Sequence, residues 1–222
     1  IVANNVPKCV GRLSLAHALN PSGSIRSEFT ITRLADGPWG ERFFLISSGA
    51  AHDYDFDFLT KLLPADGSVY LKDITTQFGV FVLAGPESRD VLQKLADADV
   101  SNEAFPWLTA QEISVGFCPN VRALRVNFVG SLGWELHHPI EYQNHLFDAL
   151  MEAGADHGIG LVGMRAMDSM RLEKSYRLWG TDLNQENTVF EAGLERFVRL
   201  NKPAFMGREA LIAQQQAGIP NT

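Results

Sequence analysis

The chain has 222 residues, 45% of them hydrophobic, with a formal net charge of −7. That length can bury a substantial core, in one large domain or two small ones. An acidic chain without a basic tract repels a nucleic-acid backbone, and no apolar run approaches the ~20 residues of a bilayer-crossing helix, so neither nucleic acid nor membrane is expected as a partner.

Arg12 to Leu19 reads as a strand, Asn20-Pro-Ser-Gly23 as a turn and Ile25 to Leu34 as the returning strand. Period-2 alternation places Ile25, Ser27, Phe29 and Ile31 on one face and Arg26, Glu28, Thr30 and Thr32 on the other. Asp36-Gly-Pro-Trp-Gly40 is a second turn before a strand from Arg42 to Ser48. The acidic run His52-Asp-Tyr-Asp-Phe-Asp57 reads as the polar face and cap of a short helix rather than a metal site, which would need several converging oxygens and a loop glycine. Tyr54, Phe58, Leu59 and Leu62 follow at helical spacing and Pro64 closes that helix. Strands are expected at Ser68 to Lys72 and Phe78 to Leu83, then a helix opening at Gly85-Pro86 with Val91, Leu92 and Leu95 as its apolar stripe. After Phe105-Pro-Trp107 come strands at Glu112 to Gly116, Val121 to Phe128 and Leu132 to His138. Helices are expected from Pro139 through Met151, from Gly163 to Tyr176 and from Gly207 to Gln216. Segregated strands and helices with short strand connections favour an α+β fold, mostly antiparallel sheets with flanking helices, over a doubly wound parallel fold.

Two blocks carry the most chemistry: Val129-Gly-Ser-Leu-Gly-Trp-Glu-Leu136 and Met167-Asp-Ser-Met-Arg-Leu-Glu-Lys-Ser-Tyr176. In a strand, Trp134 and Leu136 face one way and Glu135 the other, so the acid projects alone and needs donors such as the N–H edge of a heterocycle. A strand-end Glu reaching solvent is the alternative. Glu28 lies on the polar face with Thr30, either acting on a ligand or pairing at the surface with Arg26 or Arg33. Asp168, Arg171 and Ser175 stand at helical spacing, so a local structural ion pair is expected. The six histidines show no triad partner or ligand spacing, and neighbours His137 and His138 point to opposite faces. Trp107 and Trp179 read as core or domain-packing residues rather than ligand stackers. Cys9 and Cys118 fit a reduced intracellular protein, with one disulfide as the alternative. No nucleotide-binding Gly-x-Gly-x-x-Gly is found.

These blocks resemble the folate-binding aminomethyltransferase family: the glycine cleavage T-protein and the C-terminal region of dimethylglycine and sarcosine dehydrogenases. Leu19 to Glu28, Val82-Leu-Ala-Gly-Pro86, Ser101 to Trp107, Gly130 to Pro139, Asp168 to Lys174 and Phe190-Glu-Ala-Gly-Leu194 follow in the family's order. Arg177 to Asp182 and Phe197 to Pro203 look closest to the dimethylglycine dehydrogenase type. The resemblance implies an aminomethyltransferase-like fold over 1–222, with two interleaved subdomains as the alternative organisation, cut at both ends and lacking the family's C-terminal β domain. It implies tetrahydrofolate as cofactor, with a methylene unit taken from an oxidised N-methyl amine of dimethylglycine or sarcosine type to give 5,10-methylenetetrahydrofolate. FAD would belong to a flavin oxidoreductase region of the parent outside this chain. Glu28, where the family has Asp, is then the catalytic candidate. Glu135 matches the acid that holds the pterin; Phe44, Ile46 and Ser48 match strand positions that pack and hydrogen-bond folate, and Thr30 stands beside Glu28. Phe128 falls where the family usually has Tyr, and Met167 where T-proteins have Arg. Glu28 and Glu135 are expected to border one cavity. No metal is expected, and the location is cytoplasmic, or the mitochondrial matrix in a eukaryote. The alternatives are a T-protein-type aminomethyltransferase, another folate-dependent demethylase, or a folate-binding or assembly module without turnover.

Overall fold

The computed structural model describes residues 1–219. In chain order its strands and α-helices are β1 (Leu13–Leu19), β2 (Ile25–Gly37), β3 (Gly40–Ile46), α1 (His52–Lys61), β4 (Phe78–Ala84), α2 (Ser88–Leu95), β5 (Ala110–Val115), β6 (Cys118–Leu124), β7 (Gly133–Pro139), α3 (Gln143–Ala153), α4 (Met164–Glu173) and α5 (Arg208–Ala217). The chain divides into two compact units, Ile1–Asp73 with Arg177–Thr222, and Ile74–Tyr176.

In the first unit β1, β2 and β3 form an antiparallel sheet in sequence order. One face carries Ala16, Ala18, Phe29, Ile31 and Phe43, packed on Phe58, Leu59 and Leu62 from α1 and its C-cap. Asp53 and Asp55 lie in the first turn of α1, where the helix dipole favours carboxylates. Asp55 also accepts a 2.6 Å hydrogen bond from Ser27, which accounts for a hydroxyl on an otherwise apolar face. His52 holds Asp53 and Asp73 through its two ring nitrogens, each at 2.9 Å. The hydrogen bond to Asp73, then that to Asp53, raises the imidazole above its usual range. A raised pKa stabilises the fold fully below the ordinary histidine value and loses that contribution as pH rises through the raised value. Thermal unfolding should therefore separate wild type from His52→Gln more widely at about pH 5 than at about pH 9; equal gaps at both would remove these pairs from the stability of the fold.

A separate core gathers Leu19 and Ile25 of the hairpin with Leu183, Val189, Phe190, Val198, Phe205 and Leu211 of the C-terminal segment. Two glycines make this approach possible. Gly23 and Gly207 both take positive φ, +86° and +84°, and a Cβ on Gly207 would stand 2.5 Å from the Asn20 carbonyl and 3.0 Å from the Gly23 Cα. Gly207→Ala combines left-handed strain with a backbone clash, so a loss of about 3 kcal/mol is expected, read as a fall of roughly 6–12 °C in Tm. An unchanged Tm would mean the turn relaxes freely.

The second unit is built on an antiparallel sheet of order β4-β7-β6-β5. Trp134 and Leu136 of β7 are fully buried, with Val121 and Ala123 of β6, Leu83 of β4, and Val91, Leu92, Leu146 and Leu150 from α2 and α3. The alternation of β7 thus buries Trp134 and Leu136 and turns Glu135 to the other face, as its pattern predicts. Gly133 permits the tight start of β7, since a Cβ there would fall against the Leu83 carbonyl and 2.8 Å from the Ala84 Cα.

Several boundaries differ from the sequence reading. Ser68 to Lys72 is no strand: despite β-prone Val69 and Tyr70 it has no ladder partner, and β propensity needs one. Strand β6 stops at Leu124, because Asn127 gathers the backbone N–H groups of Val129 and Gly130 on its Oδ1 and reaches the Ser131 carbonyl, making a turn. Phe128 therefore sits in that turn and not in a strand. Pro86 precedes α2 rather than opening it, and a 3-10 turn, Ile140–Tyr142, intervenes between Pro139 and α3. Helix α4 ends at Glu173, since Ser175 takes φ 56°. Of the two tryptophans read as core or domain-packing, Trp107 is 64% exposed and so lies outside the core, and Trp179 is partly buried against the C-terminal core. Cys9 and Cys118 are unbonded; burial first, then Glu141, pushes the Cys118 thiol up to about 11, which makes it unreactive. Among the described residues no helix is long and apolar enough to cross a membrane.

Candidate functional site

The face of the first sheet turned away from α1 collects four of the candidate residues. Antiparallel register sets His17 opposite Glu28, Thr30 opposite Ile46 and Thr32 opposite Phe44. Because directly paired residues share a face, Glu28, Thr30, Phe44 and Ile46 line one surface. Phe44 and Thr32 are buried, while Glu28, Thr30 and Ile46 are half-buried. Ser48 lies beyond the end of β3, as the residue that precedes a 3-10 turn, so the predicted strand is two residues too long.

Glu28 does not make the surface pair that Arg26 or Arg33 could supply. The Arg26 guanidinium lies 3.4 Å from the centroid of the Tyr54 ring, and Arg33 bonds Asp36 and Glu41. The carboxylate instead meets His17, whose Nε2 is 2.9 Å from Glu28 Oε2. The imidazole is 1% exposed and the Glu28 side chain 21%. No described residue hydrogen-bonds the second Glu28 oxygen. One oxygen is thus committed and one open, the state in which a carboxylate can accept a proton or a ligand N–H.

Glu135 has a parallel setting in the second unit. Its ladder partners are Val82 on β4 and Leu124 on β6. Val82, and Val80 two residues away on the same face, are exposed, because β4 is an edge strand. Beside Glu135 stands His137, with Nε2 3.2 Å from Glu135 Oε2; the Glu135 side chain is 22% exposed and its other oxygen takes no hydrogen bond from a described residue. An exposed apolar strip next to a carboxylate with one free oxygen suits a flat heterocycle that presents N–H groups along one edge.

Phe128 packs in the same unit against Tyr176, ring centroids 6.4 Å apart, and under the Arg171 guanidinium at 5.7 Å. Arg171 is buried, donating to Asp168 Oδ1 and to the Tyr176 carbonyl, both at 2.8 Å. The Asp168–Arg171 pair is therefore the structural anchor expected of its spacing. Elsewhere on the surface Glu87, Asp90 and His157 bring ligand atoms within 4.8 Å of one another, and a 3.3 Å contact from His157 to Glu87 accounts for the approach.

The sequence reading does not pair either histidine with its acid. His137, two residues from Glu135, shares its face by alternation; His17 lies three residues before the Asn20–Gly23 turn and Glu28 five after it, and the register irregularity between Ala18 and Leu19 sets them opposite.

Residues 1–202 match the model of the GCVT N-terminal domain family. Mitochondrial dimethylglycine dehydrogenase of Homo sapiens is 40% identical over 221 residues, covering 99% of this chain and 25% of that protein. Mitochondrial sarcosine dehydrogenase of Homo sapiens is 39% identical over 213 residues, covering 90% of this chain and 23% of that protein. The chain thus spans about a quarter of the length of these relatives. The crystal structure of glycine cleavage system aminomethyltransferase T from Bartonella henselae superposes with a TM-score of 0.76 at 24% identity, over 95% of this chain and 54% of that one. The α+β fold with antiparallel sheets is shared with that protein.

Proposed function

Because the chain belongs to the GCVT N-terminal domain family, we propose that it is a tetrahydrofolate-dependent one-carbon transfer module of a dimethylglycine or sarcosine dehydrogenase-like enzyme. The observation that carries the reading is Glu28, half-buried on one sheet face with Thr30, Phe44 and Ile46 and keeping one oxygen open. When bound, tetrahydrofolate supplies nucleophilic nitrogens that take a methylene unit at the formaldehyde level. Glu28 accepts the proton that such a nitrogen must lose and offsets positive charge on an approaching iminium. Glu135 accepts hydrogen bonds from the pterin edge, with Val80 and Val82 as apolar support. Oxidation of the N-methyl amine belongs to a flavin region elsewhere in the parent protein.

The test is a product assay on the full-length protein with dimethylglycine or sarcosine, tetrahydrofolate and an electron acceptor. Formation of 5,10-methylenetetrahydrofolate is expected; amine oxidation that yields only free formaldehyde in the presence of tetrahydrofolate would refute the reading. A second reading, a folate-binding module without turnover, is favoured by Phe128, which has no hydroxyl and is packed against Arg171 and Tyr176. Saturable tetrahydrofolate binding without product would select it.

A further inference from the structure

We propose that His17 is a positioning residue for Glu28, fixing one carboxylate oxygen so that the other is presented to the ligand in a single direction; the inference rests on the one-carbon transfer reading above. The two residues are direct partners in the β1–β2 ladder and share a face. His17 is fully buried, and its Nε2 lies 2.9 Å from Glu28 Oε2. Its Nδ1 is also buried, with no hydrogen-bond partner among the described residues. A carboxylate can only accept, so a ring proton sits on Nε2 and points at Glu28, while Nδ1 makes no hydrogen bond.

That arrangement is hard to explain as packing. Burying an unpartnered nitrogen costs stability, and an apolar ring would fill the same space without that loss. What histidine adds here is a donor aimed at Glu28. Its plane is itself held, since the Phe197 ring meets it edge-on with centroids 5.7 Å apart. A glutamate side chain has three rotatable bonds, and a half-buried one sweeps its carboxylate across the sheet face unless it is tethered. Tethering Oε2 leaves Oε1 as the oxygen available to a ligand N–H, already oriented before the ligand arrives. Preorganised acceptors of this kind act on the rate more than on ground-state binding.

The experiment uses the full-length protein. His17→Phe keeps the ring and its contact with Phe197 but removes the donor and the unpartnered nitrogen. Its kcat for 5,10-methylenetetrahydrofolate formation should fall about 30-fold, with KM for tetrahydrofolate within about threefold of wild type. His17→Gln, whose amide N–H can still reach Glu28, should recover to within about fivefold of wild type. Independently of turnover, 15N NMR of histidine-labelled wild type should find His17 protonated on Nε2. A ring without a proton on Nε2 would overturn the pairing, even if His17→Phe failed to fold. So would a wild-type kcat in His17→Phe, a change confined to KM, or Gln and Phe variants impaired alike. A wild-type protein that forms no methylenetetrahydrofolate would overturn the one-carbon reading and this inference together, whereas an unaffected His17→Phe in an active protein overturns this inference alone.

Discussion

Glu28→Gln should lower the rate of 5,10-methylenetetrahydrofolate formation by roughly 10²-fold while tetrahydrofolate affinity changes little. The amide keeps the length of the side chain, and its carbonyl can still accept the Nε2–H of His17 at the 2.9 Å contact. What it loses is a negative, proton-accepting oxygen on the open side, where it now presents donors. A group whose charge matters only as a nitrogen gives up its proton, or as an iminium approaches, affects the transition state and not the bound ground state. Free formaldehyde should accumulate in the full-length variant, because amine oxidation continues without capture of the product. Glu28→Asp, which keeps the charge one methylene short of His17, should retain more of the rate than Gln. Wild-type yields from the Gln variant would remove Glu28 from the mechanism. A loss of affinity as large as the loss of rate would make it a ligand anchor instead.

The second large effect is on binding. Glu135→Ala should weaken tetrahydrofolate binding by about 2–4 kcal/mol, roughly 30- to 1,000-fold, since a charged acceptor is removed from donors that binding would take out of water. Glu135 is placed for this by a β7 whose neighbouring side chains, Trp134 and Leu136, are wholly in the core, so the strand cannot rotate the acid away. The measurement is calorimetric titration of the full-length variant, with its Tm as a control for folding. Unchanged affinity would assign Glu135 to the sheet, as the partner of His137 and nothing more.

How much of this was legible beforehand differs from element to element. The β1–β2 hairpin, the alternation that isolates Glu135 and the helical stripe of α1 are local patterns. A turn at Asn20–Gly23, apolar residues two apart and apolar residues three and four apart each determine a face without reference to anything distant. The grouping of Glu28 with Thr30 follows from the same rule. Phe44 and Ile46 joined them because β3 pairs with β2 in the register its turn allows.

The misreadings share a cause. Ser68 to Lys72 has the residues of a strand, but a strand exists only where another offers a ladder, and none does here. Phe128 continues an apolar run, yet Asn127 spends its side chain on three backbone groups and turns the chain out of the sheet.

By itself, then, the sequence determined the α+β pattern, the hairpin, the isolation of Glu135 and the candidate acids, because periodicity and turn chemistry act over a few residues. Only the tertiary structure decided which groups meet those acids. His17 and Glu28 become a pair through the β1–β2 register, Asp55 rather than a solvent water receives Ser27, and Gly207 lies on the Gly23 turn through α5. Those contacts depend on ladder register and on helices closing over sheets, so the physical information that sets them is distributed along the chain and becomes specific only when the core is packed.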